Sequence, residues 1–444
     1  MYAVGFGSNF FHIFSSNSQL MEKDEESSAQ LIPLHELEMH NTSISSYAFD
    51  NFISPTIPNN NASNLRFDIQ MGFSHLTMLI EDKDKKTHVY QMGSFCGHLF
   101  KLPKPVTISI PLKCTKIANG KRHVLAMMEG GSVIMSWGSD HFGQLGHGAS
   151  SSYISTPTLI QRLLPMFVGG NIVDIAAGTF HSAVVVSRED GEQLFSWGFN
   201  NRNQCGIKHG VCNIVAYPHP VFGLPTNSKY EKICLSKLHS VALTKTGDVY
   251  TWGSTTFGRC GYSNSAGRKK GISLPKKVII DTISDIATGD KHVMALSHDG
   301  IVYSWGCGED GQLGLGVTVK KIDHPHPIPK SFFDDSIIQI NAAGNYSIAL
   351  TKKGYVYTWG YGDSGQLGHS SNENNQNIPY LESTLLSQTS MDNIIPVAKS
   401  FDSRYNALIP TKIKCLENIN FNVQNVVCGP SNLILICEKK NEKE

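Results

Sequence analysis

Five histidines recur at one place in a repeated pattern, and histidine is the side chain most suited to acid–base or metal chemistry near neutral pH. They are His75, His123, His181, His239 and His292. Side chains at equivalent places of a repeat lie too far apart to share one metal at ligand distances of about 2 Å. A structural hydrogen bond would recur in this way. We therefore expect these histidines to be structural.

Acidic residues follow a second recurring feature, a large residue and a glycine. They are Asp140, Glu309, Asp310 and Asp363, all in glycine-rich turns. Such side chains usually cap backbone amides, and the alternative is an acidic rim that faces a basic partner. The sequence has no GxxxxGK[ST] phosphate loop and no Ser/His/Asp or Cys/His spacing outside the repeat. We predict no catalytic residue, no cofactor and no metal site.

Composition gives little reason to expect a membrane or a polyanion as partner. The 444 residues carry a formal net charge of +1, so only a local patch could select a charged partner. No apolar run approaches the roughly 18 residues of a membrane span, and the first residues lack the basic region of a secretory signal. The ten cysteines contain no CxxC pair. Reduced thiols in a cytoplasmic or nuclear protein are the expectation.

The repeat itself predicts the fold. Five units each contain two strand-like runs, and the second run ends in Trp-Gly with spacings of 60, 55, 53 and 54 residues. We expect these tryptophans to pack between units: Trp137, Trp197, Trp252, Trp305 and Trp359. Upstream lies a Gly-x-x-His motif, in which Ser347 stands for histidine in the fifth unit. Downstream lies a Gly-Gln-Leu-Gly motif or a variant of it. A period of 50-odd residues indicates a repeat architecture such as a propeller.

Two further units complete a ring. Residues 72–97 form a degenerate sixth unit with Met92 in the place of tryptophan. Near the end of the chain Val426–Ile436 predicts a first strand without a second, and Tyr2–Gly7 predicts a second strand without a first, with Val4 in the place of tryptophan. Pairing the two within one sheet would remove the last open edges. We predict an all-β, seven-bladed β-propeller that is closed by strands from both ends of the chain.

The text between the units supplies an outer strand for each blade. Prolines fit edge strands better than central ones, and they recur before each unit: Pro103, Pro105, Pro157, Pro218, Pro220, Pro275, Pro325, Pro327 and Pro410. With this outer strand, each blade is predicted to have four strands. We interpret residues 10–64, rich in Ser, Asn and acidic side chains, as a flexible insertion. Residues 369–420 form a long connection between blades. Residues 1–444 otherwise form a single domain.

The repeated text GxxHSxAL…DGxVYxWGxxxxGQLG resembles the repeat of the regulator of chromosome condensation family, over essentially the whole chain. That resemblance implies a seven-bladed propeller and several functions. The founding member is a chromatin-bound guanine-nucleotide exchange factor for the small GTPase Ran. Others are ubiquitin-ligase domains, a plant UV-B photoreceptor, a ciliary scaffold and a partner of a chromatin oxygenase.

Three departures from the family bear on function. The resemblance implies that an exchange factor carries an Asp immediately before the repeat histidine, and none of the corresponding residues is acidic: Ser74, Arg122, Phe180, Leu238, Lys291, Tyr346 and Ser431. Asp290 comes one place early. The basic N-terminal tail of the exchange factor has no counterpart before Tyr2. The photoreceptor needs tryptophans on the propeller face, whereas all five here end strands.

One local basic feature stands out. The connection after the fourth blade and the matching connection of the next blade carry eight cations: Arg259, Arg268, Lys269, Lys270, Lys276, Lys277, Lys320 and Lys321. Matching connections of adjacent blades should share one rim, so a positive patch is predicted there. It could receive an acidic protein surface, an acidic feature of chromatin or phosphate. Solvated loop lysines are the alternative.

Two classes of function remain open. The first is a non-catalytic scaffold that presents rim loops to protein partners, with chromatin or a small-GTPase pathway as settings. The second is a guanine-nucleotide exchange factor for a small Ran-like GTPase. We expect a protein partner, a monomeric chain, and neither membrane binding nor direct nucleic-acid binding.

Overall fold

Seven antiparallel sheets form the body of the protein. The computed structural model describes residues 2–6, 30–33, 66–82, 84–95, 98–131, 133–148, 152–161, 170–207, 213–225, 228–262, 272–369, 394–396, 406–414 and 421–439. The expected insertion at 10–64 and the connection at 369–420 lie largely outside them.

The sheets follow one another along the chain, and we number them as blades. Blade 1 holds β3 (Arg66–Met71), β4 (His75–Glu81), β5 (Thr87–Phe95) and β6 (His98–Pro105). Blade 2 holds β7 (Cys114–Asn119), β8 (His123–Met128), β9 (Ile134–Ser139) and β10 (Tyr153–Leu159). Blade 3 holds β11 (Asn171–Ala177), β12 (His181–Arg188), β13 (Gly191–Phe199) and β14 (Ile214–Pro220).

Three more blades follow the same plan. Blade 4 holds β15 (Tyr230–Leu235), β16 (His239–Thr244), β17 (Val249–Gly253) and β18 (Ile272–Lys277). Blade 5 holds β19 (Ile283–Thr288), β20 (His292–Ser297), β21 (Val302–Gly308) and β22 (Val317–Pro327), extended by β26 (Ile394–Pro396). Blade 6 holds β23 (Ile337–Ala343), β24 (Tyr346–Thr351), β25 (Val356–Gly360) and β27 (Ala407–Lys412). Short 3₁₀ turns lie at Glu129–Gly131, Thr256–Gly258 and Lys330–Phe332.

The closing blade 7 is built from both ends of the chain. It pairs β28 (Phe421–Gly429), β29 (Asn432–Lys439), β1 (Tyr2–Phe6) and β2 (Gln30–Pro33). Strand β1 lies between β29 and β2, so both of its edges are hydrogen-bonded. The predicted closure is confirmed. The fourth strand, β2, comes from inside the segment expected to be an insertion.

The pairing register of the strands shows that two residues were assigned to the wrong place of the repeat. Phe6 pairs with Leu433 as Trp305 pairs with Val293, so Phe6 and not Val4 takes the place of tryptophan. Tyr346 pairs with Gly360 as His292 pairs with Gly306. Tyr346 and not Ser347 therefore replaces histidine in blade 6, because one residue is missing from the turn before it.

Each Trp-Gly step has a steric cause. Gly306 has φ = 114°, a left-handed conformation that other residues rarely adopt. A Cβ there would lie 2.4 Å from the carbonyl oxygen of Lys291. The Gly-x-x-His step is equally tight, since a Cβ on Gly120 would lie 2.1 Å from the ring of His123. Glycine is thus favoured at both steps, although Ser236 takes the place of the first glycine of the Gly-x-x-His step in blade 4.

The core lies between neighbouring blades. The five tryptophans are each at most 1% exposed, and each indole N–H reaches the preceding blade. Trp197, Trp252 and Trp359 donate to the carbonyl oxygens of Gln144, Gln204 and Gln312 at 2.9, 2.9 and 3.0 Å. Met92 is fully buried in the corresponding place. These contacts confirm the inter-blade role expected of the tryptophans.

The innermost strand of each blade carries one polar side chain at the same register place, and together these side chains form a ring. Six of them line the central channel: Asp68, Lys116, Asp174, Lys232, Gln339 and Asn425. The seventh, Asp285, holds the same register place in blade 5 and bonds to Lys232. Three neighbouring pairs bond across blades: Lys116 Nζ to Asp174 Oδ1 at 2.5 Å, Lys232 Nζ to Asp285 Oδ1 at 2.7 Å, and Gln339 Nε2 to Asn425 Oδ1 at 2.9 Å. Asp68 instead accepts from Gln70 of its own strand at 2.9 Å. The channel section at this level has a volume of 410 Å³.

Candidate functional site: the mouth of the channel

Seven tight turns, one from each blade, surround one mouth of the channel. Each turn joins the innermost strand to the strand that begins with the repeat histidine, or with Tyr346 or Asn432 in blades 6 and 7. They enclose a cavity of 170 Å³. Backbone N–H groups bond from turn to turn, as from Thr179 to the Ser236 carbonyl at 3.2 Å. At the turns of Phe73, Lys121, Thr179 and Asp290 the main-chain N–H groups are thus already bonded, so side chains are the main groups left for recognition there.

Lysine dominates the chemistry of this mouth. Lys121 and Lys237 line the cavity, and neither forms an ion pair with a carboxylate in the described part of the chain. Burial, followed by the charges of Lys237 and Arg122, lowers the pKa of Lys121, while Asp290 acts in the opposite direction. Like charges are thus held close together with little negative charge among them.

Aromatic rings lie beside these cations. The ammonium of Lys121 stands 4.3 Å from the ring centre of Phe73 and 5.9 Å from that of Phe180. Phe142 contacts Phe180 and Phe199 with centroid separations of 4.9 and 4.7 Å. All of these rings are half-buried, so apolar area remains accessible next to the charge.

The combination of a cationic side chain and an aromatic ring recurs in the neighbouring blades. Lys291 lies 5.2 Å from the ring centre of Phe257. Arg202 follows Gly198 in blade 3 and is half-buried. We call the whole set the mouth surface: Phe73, Lys121, Arg122, Phe142, Phe180, Phe199, Arg202, Lys237, Phe257 and Lys291. It extends over five consecutive blades.

The predicted basic rim is less coherent than the mouth surface. Arg259 is only 3% exposed and donates to the carbonyl oxygens of Thr256 and Asp290 at 2.8 and 3.1 Å. Its assignment to an exposed patch was wrong, because these backbone oxygens hold it inside the molecule. Arg268, Lys269 and Lys270 lie outside the described residues.

The remaining rim lysines do not share one place. Lys277 pairs with Tyr250 and forms an ion pair with Asp248 at 2.8 Å, and Lys276 lies over the ring of Tyr262 at 4.4 Å. Lys321, beside the exposed Lys320, bonds to Asp323 at 3.3 Å. Ile272 of β18 and Ile322 of β22 occupy the same register place. Lys276 and Lys277 therefore lie near the opposite end of the outer strand from Lys320 and Lys321, and the two pairs do not form one patch.

The histidines make the inter-blade bonds expected of them in three cases. Nε2 of His123, His181 and His292 lies 2.9, 2.9 and 2.8 Å from the hydroxyl of Ser182, Ser240 and Ser347. For His75 and His239, the residue of the next blade that corresponds to this serine is Val124 or Val293, which has no hydroxyl. The ring nitrogens of these two histidines have no protein partner among the described residues. Burial lowers the pKa of His75, His123, His181 and His292 to about 3. They remain neutral and do not act as acid–base groups at neutral pH.

The acidic turn residues divide between capping and exposure. Asp140 accepts the backbone N–H of Leu145 at 2.9 Å, and burial raises its pKa to about 6. Asp310 accepts from the Asn345 side chain at 3.0 Å. Glu309 and Asp363 are exposed. The mouth surface ends at blade 5 with three acidic residues, Asp290, Glu309 and Asp310. The rest of the mouth surface is basic or aromatic, so these three do not form part of a continuous acidic rim.

The described residues offer little for metal or thiol chemistry. No group of three or more His, Cys, Asp or Glu side chains among them is placed to hold a metal ion. Burial raises the pKa of Cys114, Cys260 and Cys428 to about 12, which leaves them as unreactive thiols. Within the same residues, no helix is long and apolar enough to cross a membrane.

Closure by both ends of the chain, buried Trp-Gly steps and polar turns around a channel define a repeat β-propeller. A sequence profile of the RCC1-like domain matches residues 88–442. The chain therefore belongs to the RCC1-like domain family.

Curated relatives share the repeat at about 30% identity. The Arabidopsis thaliana ultraviolet-B receptor UVR8 is 30% identical over 270 residues, which cover 60% of this chain and 57% of that protein. The human E3 ubiquitin-protein ligase HERC2 is 31% identical over 293 residues, 64% of this chain and 6% of HERC2. The chain thus matches only part of each of these proteins.

Solved structures show the same fold. Prp20p of Saccharomyces cerevisiae, whose structure is described with its binding to Gsp1p and histones, superposes with a TM-score of 0.70 at 20% identity, covering 99% of this chain and 92% of that one. Human WBSCR16 superposes with a TM-score of 0.70 at 16% identity, covering 99% of both chains. These identities support the architecture alone.

Sequence reasoning missed the mouth surface, although its parts were visible. Lys121, Lys237 and Lys291 each lie one or two places after the first residue of a Gly-x-x-His motif or its variant. They are more than 50 residues apart along the chain, so they do not form a charge run. Stacking the repeats and reading the turn positions as one column would have shown the cluster.

Proposed function

We propose that this chain is a non-catalytic propeller scaffold that binds a protein partner through the loops at the channel mouth. The observation that carries the proposal is the pair Lys121 and Lys237, which line the mouth without a carboxylate partner among the described residues. Repulsion between these cations, which Asp290 offsets only in part, is costly in the free protein, and an approaching anionic surface relieves it. Half-buried phenylalanines beside the lysines add apolar contact area.

The arrangement gives no support to chemistry on a substrate. The repeat histidines are buried and neutral, and the described thiols have raised pKa values. Recognition by an extended propeller face needs only complementary charge and shape. Chromatin proteins are one setting for such a scaffold.

Guanine-nucleotide exchange on a Ran-like GTPase is the second candidate. It is favoured by the likeness of the fold to Prp20p, described with its binding to Gsp1p. Arg122 and Lys291, however, occupy places where the resemblance implies an acidic residue, and Asn345 rather than Tyr346 precedes the histidine place in blade 6. The inverted charge supports the scaffold.

Affinity capture compared between the natural chain and the variant Lys121→Glu/Lys237→Glu tests the scaffold. We expect the variant to lose partners that the natural chain retains. A matched control, Lys245→Glu/Lys353→Glu, changes two exposed lysines in turns at the other end of blades 4 and 6. If the mouth variant captures the same proteins as the natural chain, the proposal fails.

A nucleotide-release assay against a panel of small GTPases tests the second candidate. We expect release no faster than the spontaneous rate. Acceleration that Lys291→Glu alters would favour exchange activity. Partner binding by the rim is tested separately with Lys269→Glu/Lys270→Glu, and full retention of partners by that variant would remove the rim from consideration.

We also propose that the protein works as a monomer in the cytoplasm or nucleus. Buried reduced thiols support this compartment, because the described cysteines form no disulfide with one another. Imaging of the tagged protein and a sedimentation measurement test the two statements.

A further inference from the structure

The arrangement of charge on the mouth surface carries information about the partner. Its cations are spread around an arc: Lys121 and Arg122 in blade 2, Arg202 in blade 3, Lys237 in blade 4 and Lys291 in blade 5. Point charges distributed over four blades match several separate anionic groups better than one compact group.

The backbone argues against a single phosphate as the ligand. Phosphate sites commonly use free main-chain N–H groups. At this mouth the N–H groups of Phe73, Lys121 and Thr179 donate to the carbonyls of Lys121, Gly178 and Ser236, each at 3.2 Å. No nest of free amides remains at these three turns, and the cations must do the binding.

The acidic end of the arc argues against a polyphosphate chain. Asp290 lines the cavity beside Lys237, and Glu309 and Asp310 follow in blade 5. A regular row of phosphates that followed the arc would meet these carboxylates, whereas a peptide can place a neutral or basic residue there. The formal net charge of +1 for the whole chain also provides no long-range field for nucleic acid.

The aromatic cluster supplies an apolar anchor within the charged arc. Phe142, Phe180 and Phe199 contact one another between blades 2 and 3, and all three are half-buried. Lys121 reaches Phe180 from the mouth side at 5.9 Å. A large apolar side chain bound on these rings would lie among the cations, where flanking carboxylates would pair with them.

We propose that the mouth surface binds an extended, carboxylate-rich segment of a partner protein, with one bulky apolar side chain among its acidic residues. The apolar side chain packs on Phe142, Phe180 and Phe199, and the carboxylates bind Lys121, Arg122 and Lys237. This inference rests on the proposed scaffold function and names the chemistry of its partner.

The test uses the full chain and a fluorescent peptide of about twelve residues, which spans about 40 Å when fully extended at ~3.3 Å per residue. The peptide has Asp and Glu on both sides of one Phe. We expect saturable binding that weakens as salt is added. Lys121→Glu/Lys237→Glu should weaken it by at least about tenfold, equal to about 1.4 kcal/mol, whereas Lys245→Glu/Lys353→Glu should leave it unchanged.

Three comparison probes decide between the possible ligands. Replacing the peptide's Phe with Ser should weaken binding to the natural chain but have little effect on a Phe180→Ser variant. Replacing every Asp and Glu with Asn and Gln should abolish binding. Equal affinity for the neutral peptide, or tighter binding of a single-stranded DNA of the same length, would overturn the inference.

Failure of the inference can be distinguished from failure of the scaffold proposal. If affinity capture depends on Lys121 and Lys237 but the acidic peptide does not bind, the scaffold stands and the partner chemistry is wrong. If neither capture nor peptide binding responds to these lysines, both proposals fail. Circular dichroism of each variant confirms that the propeller has formed.

Discussion

The hydroxyl of Tyr346 lies 2.8 Å from the carbonyl oxygen of Gly429 and 2.6 Å from that of Asn432. It thereby joins blade 6 to the blade that closes the ring. Tyr346 is fully buried, so water cannot replace these bonds. The tyrosine side chain is longer than that of histidine and spans the boundary between two blades directly. At three other blade boundaries a histidine spans the gap by bonding to a serine of the next blade.

Tyr346→Phe should lower the free energy of unfolding by about 1–3 kcal/mol, because it removes the single O–H proton that the two buried carbonyl oxygens share. Chemical denaturation followed by tryptophan fluorescence measures the change. Tyr355→Phe is the control, since that ring lies under Lys412 and no described bond of its hydroxyl is lost. A change below about 0.5 kcal/mol for Tyr346→Phe would show that the seam does not depend on the hydroxyl.

His181 and His239 provide a matched pair for the value of the histidine bond. Both are fully buried, but only His181 has a hydroxyl partner, Ser240. His181→Leu should therefore cost about 1 kcal/mol more than His239→Leu. Thermal or urea unfolding of the two variants measures the difference. Equal costs would mean that ring packing, and not the bond, explains the repeat.

The buried histidines should make the fold sensitive to acid. Their pKa values are depressed to about 3 in the folded state, with that of His239 also well below 6.5. Below pH 6.5 the unfolded chain takes up protons that the folded chain does not, so stability falls as the pH falls towards 3. Each group contributes up to about 1.4 kcal/mol per pH unit.

Melting temperatures measured between pH 7.5 and 4, a range set by ordinary histidine pKa values of about 6.5, check this prediction. His75→Gln/His239→Gln, which removes two of the five groups, should flatten the decline. An unchanged slope in that variant would contradict the argument.

Substitutions at Gly306 and Gly300 can distinguish the stability cost of a positive φ from that of a steric clash. Both have positive φ, 114° and 73°, but a Cβ at Gly300 meets nothing within 4 Å while one at Gly306 meets the carbonyl oxygen of Lys291 at 2.4 Å. Gly300→Ala should cost about 1 kcal/mol and Gly306→Ala distinctly more. Denaturation midpoints of the two variants provide the comparison. Similar losses would show that the backbone can move away at Gly306.

Most of the architecture could be predicted from the sequence because the blades repeat. Trp-Gly, Gly-x-x-His and Gly-Gln-Leu-Gly each mark a contact made in nearly every blade, and the split seventh blade followed from two half-patterns. The errors occurred where the pattern decays. The turn before Tyr346 is one residue shorter than the matching turns, so the alignment of that repeat was shifted by one position. In blade 7, Phe6 was not recognised as the counterpart of tryptophan.

The candidate site was harder to predict because it depends on a comparison between blades. Lys121 and Lys237 are unremarkable in their own repeats, and only the closed ring brings them to one cavity. Arg259 shows the reverse error. It looks like a surface cation in the sequence, yet backbone carbonyls of its own loop and of the next blade bind it inside.

The polar ring of the channel has a consequence that depends on the number seven being odd. Opposite charges can alternate around an even ring, but an odd ring must place two like charges side by side. Here Asp68 to Asp285 alternate in sign, and the parity conflict falls on Gln339 and Asn425, which are neutral and bond to each other. A substitution such as Gln339→Lys would extend the alternation by one member and leave Asn425 without its amide partner. The neutral pair Gln339 and Asn425 thus spares this ring the contact between like charges that seven charged members would force.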